Sequence, residues 1–246
     1  GSLTRDGFPG KEILKRDAER VVHMYLAEPM AGDRREVRRF KRLAASHWGQ
    51  WGYLLHQAPR PSNYRSVITY LKDHPHEYRK AANLIKDRLL SIYLSAYQSW
   101  VWNQIVGAHL DEIFPETYAI RIMRRAFPLP DPCPELMTKQ SVLVELPRLT
   151  ARYHGAFESA ARTVLEAEGL EIRDFKARIL KRAYLGKGER SVSFIPQEVR
   201  SDDPQTDEDM PDRWRVTVSF ALTAGQYATL VIKAAAALIG AKVKVR

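Results

Sequence analysis

Residues 87–110 read DRLLSIYLSAYQSWVWNQIVGAHL, and the spacing of apolar side chains in this stretch decides how the first half of the chain folds. Leu90, Leu94, Tyr97, Val101, Ile105 and Ala108 recur every three or four residues, the period of one helix face. So long a pattern predicts a buried central helix. Toward the N terminus, Ala18, Val21, Val22, Tyr25 and Leu26 repeat the period, and Pro29 and Gly32 stop it. A second helix is expected over 33–47, with Asp33 as its N-cap. A third is expected over 64–72, after the break at Pro59, Pro61, Ser62 and Asn63. Asp73-His74-Pro75 interrupts it, and Pro75 suits the first turn of a following helix.

Toward the C terminus, Pro128, Pro130, Pro132 and Pro134 predict an exposed loop. A helix over 150–168 should end at Gly169 in the C′ position. The last third changes character. Residues 191–195 alternate briefly, and 201–212 read as an acidic, proline-containing loop. Over 215–222, Val216, Val218, Phe220 and Leu222 alternate with polar residues, the mark of a half-buried strand. Gly225 starts a turn, and 226–239 reads as a helix with Gly240 behind it. Helices first and strands later argue for an α+β fold, with too few strands to make a sheet unaided.

The chain of 246 residues is long enough to bury a core without covalent staples. It has no apolar run near the ~20 residues of a membrane span and no signal-peptide pattern. Cys133 is the one cysteine, which excludes an intrachain disulfide and a multi-cysteine zinc site. His74 and His76 form the one close histidine pair, without acidic partners at ligand spacing. Neither a metal nor a cofactor is expected, and a cytoplasmic setting is the simplest expectation. A formal charge of +10 points to a polyanionic partner, RNA first among them.

Two stretches carry a specific resemblance. One is Leu94-Ser95-Ala96-Tyr97-Gln98-Ser99-Trp100-Val101-Trp102-Asn103, and the other runs from Val216 through Gly225-Gln226-Tyr227-Ala228-Thr229. With the looser segments 18–29 and 63–86, they make the chain resemble the TruD family of tRNA pseudouridine synthases. The resemblance implies a helical inserted domain followed by the C-terminal strands and helix of a pseudouridine synthase core. The expected boundaries are a core remnant at 1–20, the insertion at 21–172 and the returning core at 173–246. It also implies a tRNA substrate, isomerised at uridine 13 of the D-arm, with a monomer as the default state. The family's Gly-x-Lys-Asp motif, which carries the catalytic aspartate, has no match here. It is expected upstream of Gly1, so that this chain alone would be inactive. Lys72-Asp73 and Lys86-Asp87 share only the dipeptide. Lys233-Ala234 stands where the family usually has Arg-Glu; lysine keeps the charge and loses the bidentate fork.

The candidate substrate-binding residues are therefore Gly225, Gln226, Tyr227, Ala228, Thr229 and Lys233. Gly225 permits a tight strand-to-helix turn, and the helix start offers N–H groups to a phosphate or carbonyl. Gln98 and Asn103 are either polar anchors or RNA contacts. Arg34, Arg35, Arg38 and Arg39, with Lys41 and Arg42, crowd one helix, and their i,i+4 pairs repel one another unless an anion intervenes. Lys181 and Arg182 belong to a second basic stretch, 173–190. Two other readings remain: a non-catalytic RNA-binding relative of the same fold, and a helical protein scaffold.

Overall fold

A computed structural model of the chain describes residues 2–122, 125–130 and 142–239. The fold is α+β and divides into two compact units, each made of two pieces of chain.

The first unit comprises residues 1–105 and 145–188. It holds α1 (Pro9–Lys15), α2 (Ala18–Ala27), α3 (Arg35–Ser46), α4 (Trp51–Gln57), α5 (Tyr64–Asp73), α6 (Tyr78–Ala82) and most of α7 (Asp87–Ile113). After residue 145 come α8 (Ala156–Glu168) and a 3-10 turn, Ile172–Asp174. The periodic residues behave as their spacing demands: Val21, Val22, Leu26, Leu90, Leu94, Tyr97, Val101 and Ile105 are buried. The Asp17 carboxylate caps α2 by accepting the Arg20 N–H at 2.8 Å. Gly169 ends α8 in the left-handed conformation, φ 63°, as expected of a C′ glycine. α1 lies against α7 so closely that a Cβ on Gly10 would overlap the Tyr93 carbonyl and approach Tyr97 Cβ to 2.8 Å. Glu168 joins the elements: Lys11 Nζ and the Tyr97 hydroxyl both donate to its Oε2, at 2.7 and 3.0 Å.

The second unit comprises residues 106–144 and 189–246. β1 (Thr117–Ile122) pairs antiparallel with β2 (Arg125–Pro130), Ile120 opposite Phe127, and α9 (Ala228–Leu238) packs on β1. β5 (Gln197–Ser201) pairs antiparallel with β8 (Val218–Ala221), and β6 (Gln205–Thr206) with β7 (Trp214–Arg215). β3 (Leu143–Glu145), whose last residue falls in the first unit, pairs with β4 (Glu189–Ser191). The described strands form two-stranded ribbons only.

Several expectations change. Asp33 does not cap α3; Arg34 takes the N-cap place, and Asp33 instead accepts the Met30 N–H and pairs with Lys41 at 3.0 Å. Pro75 sits in a turn, and α6 starts later, at Tyr78. α8 begins at Ala156 rather than 150, because residues 152 and 153 are tied to Glu145 and Gly155 takes φ 59°. Pro128 and Pro130 lie in β2, not a loop; a ribbon strand has one partner, so a missing N–H can face its open edge. Pro132 and Pro134 fall outside the described residues, as does Gly240. The acidic segment 201–212 contains β6. The half-buried strand expected over 215–222 is interrupted at 216–217, and its alternating face is only partly covered: Val216 and Val218 are exposed, whereas Phe220 and Leu222 are half-buried.

Candidate functional site

In the second unit, β8 runs into a turn that reverses the chain into α9. Gly225 takes φ 92°, a region a side chain rarely adopts. The turn closes on itself: Gln226 N–H donates to the Thr223 carbonyl, and Gln226 Oε1 accepts the Thr223 N–H, each at 3.1 Å. Tyr227 holds the N-cap position in extended conformation and gives no side-chain cap; its carbonyl accepts the Leu230 N–H at 2.9 Å, and the Ala228 and Thr229 N–H groups have no acceptor among the described residues. Its ring is half exposed, and Ala228 and Thr229 are exposed beside it. Lys233, one turn on, donates to the Arg121 carbonyl at 2.7 Å. Its charge is thereby fixed between α9 and β1, within the same unit.

The aspartates of the two Lys-Asp dipeptides sit at helix ends in the first unit. Asp73 closes α5 and Asp87 opens α7, where the helix dipole favours it; both are exposed.

The two basic stretches both lie in the first unit. Arg34, Arg35, Arg38, Arg39 and Arg42 are exposed on or beside α3, and none is ion-paired among the described residues. Lys41 departs from the expectation. Its side chain is 2% exposed and paired with Asp33, and burial lowers its pKa more than Asp33 raises it. It belongs to the core. Lys181 and Arg182 are exposed on a segment without regular secondary structure.

Of the two roles left open for Gln98, its surroundings fit the anchor. It is 2% exposed, and its amide is fully engaged: Nε2 donates to the Pro147 and Gly186 carbonyls, both at 2.9 Å, and Oε1 accepts the Gly186 N–H at 3.0 Å. A buried amide so satisfied is an anchor, not an RNA contact. Asn103 is half-buried on α7. Tyr97, Trp100 and Trp102 are core.

Sequence reading missed Asn83 and Tyr184. Asn83 Nδ2 donates to the Ile179 carbonyl at 2.7 Å, and Oδ1 accepts the Lys181 N–H at 2.8 Å. Partners nearly 100 positions away leave no local signal. Tyr184 is 73% exposed; an aromatic amid cations was its one available sign.

Residues 8–121 match the family described as tRNA pseudouridine synthase D (TruD). The chain is 25% identical, over 95% of its length, to "Probable tRNA pseudouridine synthase D 1" of Methanococcus maripaludis, of which it covers 61%. It is 26% identical, over its full length, to "Probable tRNA pseudouridine synthase D 2" of Methanocaldococcus jannaschii, covering 59%. A "tRNA pseudouridine synthase D" of Leptospira interrogans is 23% identical over 92% of the chain. The chain thus spans about three fifths of the length of these curated relatives. A solved TruD-type structure from Methanosarcina mazei shares the fold: TM-score 0.66 at 18% identity, over 91% of this chain and 55% of that one.

Proposed function

We propose, from the premise that this chain belongs to the TruD family of pseudouridine synthases, that it acts in isomerising a tRNA uridine to pseudouridine. The observation that carries the reading is the similarity of more than nine tenths of the chain to relatives bearing that name. In this reaction the glycosidic bond breaks, the uracil turns, and it rejoins through carbon. One aspartate carboxylate does the covalent or electrostatic work. The base must first leave its stack.

Each candidate then has a part. The Gly225 turn and the open start of α9 would receive a uracil carbonyl or a phosphate, with Tyr227 offering a ring face. Lys233 would stiffen the start of α9 through its bond to Arg121. The exposed arginines of α3 would hold tRNA phosphates. Uridine 13 of the D-arm is the proposed target. The aspartate is proposed to lie in the part of the relatives' length that this chain does not match. The β5–β8 ribbon would be an edge to which further strands of the catalytic sheet add. The division into an inserted segment over 21–172 and a returning core over 173–246 is kept as a proposal about descent, distinct from the two compact units.

The test is a modification assay. The product of the whole gene is incubated with unmodified tRNA transcript, and pseudouridine is mapped by carbodiimide-dependent primer extension. A stop at uridine 13 supports the reading; no new stop anywhere sinks it. A second reading, a non-catalytic RNA-binding relative, is favoured by Lys233-Ala234 in place of the family's Arg-Glu. It predicts tRNA binding without a stop.

A further inference from the structure

Residues 175–188 run for fourteen positions without helix or strand. Structureless segments of about that length are uncommon in compact domains and are usually either functional or disordered. This one is held fast. Phe175, Ile179 and Ala183 are buried pegs. Asn83 grips the Ile179 carbonyl and the Lys181 N–H, and Gln98 grips the carbonyl and N–H of Gly186. Two side-chain amides thus replace the backbone ladder that the segment lacks. The fit at Gly186 is close, since a Cβ there would stand 3.1 Å from Gln98 Oε1.

What the two clamps hold out is chemically one-sided. The segment contains five cations, Lys176, Arg178, Lys181, Arg182 and Lys187, and no acidic residue. All five are exposed, and none is ion-paired among the described residues. Between the clamps stands Tyr184, 73% exposed, its hydroxyl bonded to the Lys181 carbonyl at 3.2 Å. That bond keeps the phenol from swinging freely. Ordering a tyrosine ring in water among unpaired cations gains nothing within the fold.

We infer that residues 181–187 form a rigid RNA-binding platform, with Lys181, Arg182 and Lys187 on phosphates and the Tyr184 ring stacked on an unpaired base, and that Asn83 and Gln98 are its positioning residues. Cations along a backbone with an aromatic face beside them match a single-stranded or unstacked stretch of RNA. A paired helix would hide the faces of its bases. A protein partner would meet the ring but would need acidic groups to match the cations. The inference rests on the proposed RNA substrate and adds a contact surface in the first unit, separate in sequence from the Gly225 turn.

The experiment uses the 246-residue chain and fluorescently labelled tRNA transcript, with Kd measured between 50 and 200 mM salt. Tyr184→Ala should weaken binding about tenfold, the size of one lost base stack, and Tyr184→Phe, which keeps the ring and loses only its bond to Lys181, should weaken it less. Because the ring is exposed, neither variant should change thermal stability. The double variant Lys181→Ala/Arg182→Ala should flatten the dependence of log Kd on log salt by about 1.4 if two single-stranded phosphates are lost. Gln98→Met lowers stability in any case; as a positioning change it should also flatten the salt dependence of the folded protein. Unchanged binding in Tyr184→Ala overturns the inference, as does an equal loss in Tyr184→Phe. If the parent binds RNA through Tyr184 but the whole gene product makes no pseudouridine, the function fails and the platform stands. If the gene product modifies tRNA and Tyr184→Ala binds unchanged, the platform alone fails. If the parent binds no RNA, the platform falls, and the function is decided by the modification assay alone.

Discussion

Of the six cations between Arg34 and Arg42, Lys41 alone turns inward, and the residue scale explains why. α3 faces the core through Phe40, Lys41 and Ala44, and Asp33 just before the helix meets the ammonium. Composition showed a basic run; only the helix phase separates the buried member from the exposed ones. Asp33→Ala would leave Lys41 buried without its partner, a loss of roughly 3–5 kcal/mol in urea unfolding. Lys41→Met should cost far less, since a similar volume is kept and no charge is buried. Gly10→Ala is the second sensitive site. The new methyl group would meet the α7 backbone, so a destabilisation of about 1–3 kcal/mol or more is expected. Equal stability of Gly10→Ala and the parent would mean that α1 does not approach α7 as described. Gln98 teaches the same lesson as Lys41. In sequence it looks like a recognition residue beside aromatics; its partners lie 49 and 88 positions away and were not legible.

At the scale of elements, legibility followed length and period. α7 extends over 27 residues, and its buried face was plain from the apolar spacing. α1 and α4 have seven residues each, too few turns to show a period, and were missed; α6, of five residues, was expected after Asp73 but placed too early, from Pro75. The β1–β2 ribbon was hidden by prolines that a strand with one partner tolerates. Alternation in Val216–Leu222 was read correctly as strand-like, but alternation says which residues share a face, not what covers it. The Gly225 turn was legible because only glycine suits its φ. Caps were partly legible. Asp17→Ala should cost about 1 kcal/mol through the loss of the α2 cap, and Gly169→Ala about as much through strain at positive φ. Both can be read from thermal unfolding. On α3, replacing Arg34, Arg35, Arg38 and Arg39 together by alanine should weaken tRNA binding and reduce its salt dependence, with stability little changed; unaltered affinity would remove α3 from the RNA contacts.

For the whole molecule, pH offers a test of the first unit's core. Burial, the largest cause in each case, raises the pKa of Tyr25, Tyr93, Tyr97 and Tyr153 above the ordinary phenol value, and the neighbouring Glu168 and Glu145 add to it for Tyr97 and Tyr153. A phenol with a raised folded pKa stabilises the fold fully below pH 10. As pH climbs past 10 the unfolded chain loses its proton first, and stability falls by at most about 1.4 kcal/mol per pH unit for each group. Lys41 works in the opposite direction, since its lowered pKa relieves a penalty as pH approaches 10.5. Four phenols outweigh one ammonium, so urea midpoints should drop steeply between pH 10 and 12; a flat profile would contradict the burial of these rings. The division of the chain has a consequence for its birth. Gln98 emerges from the ribosome 88 residues before the glycine it holds, a wait of roughly 4 to 18 s at ordinary translation speeds. Pro147, its other partner, follows after 49 residues, so the amide is satisfied in two steps, and its oxygen waits for the second. The segment 175–188 therefore cannot take its final course until synthesis has passed residue 188, and slowing synthesis between α7 and that point would lengthen the wait.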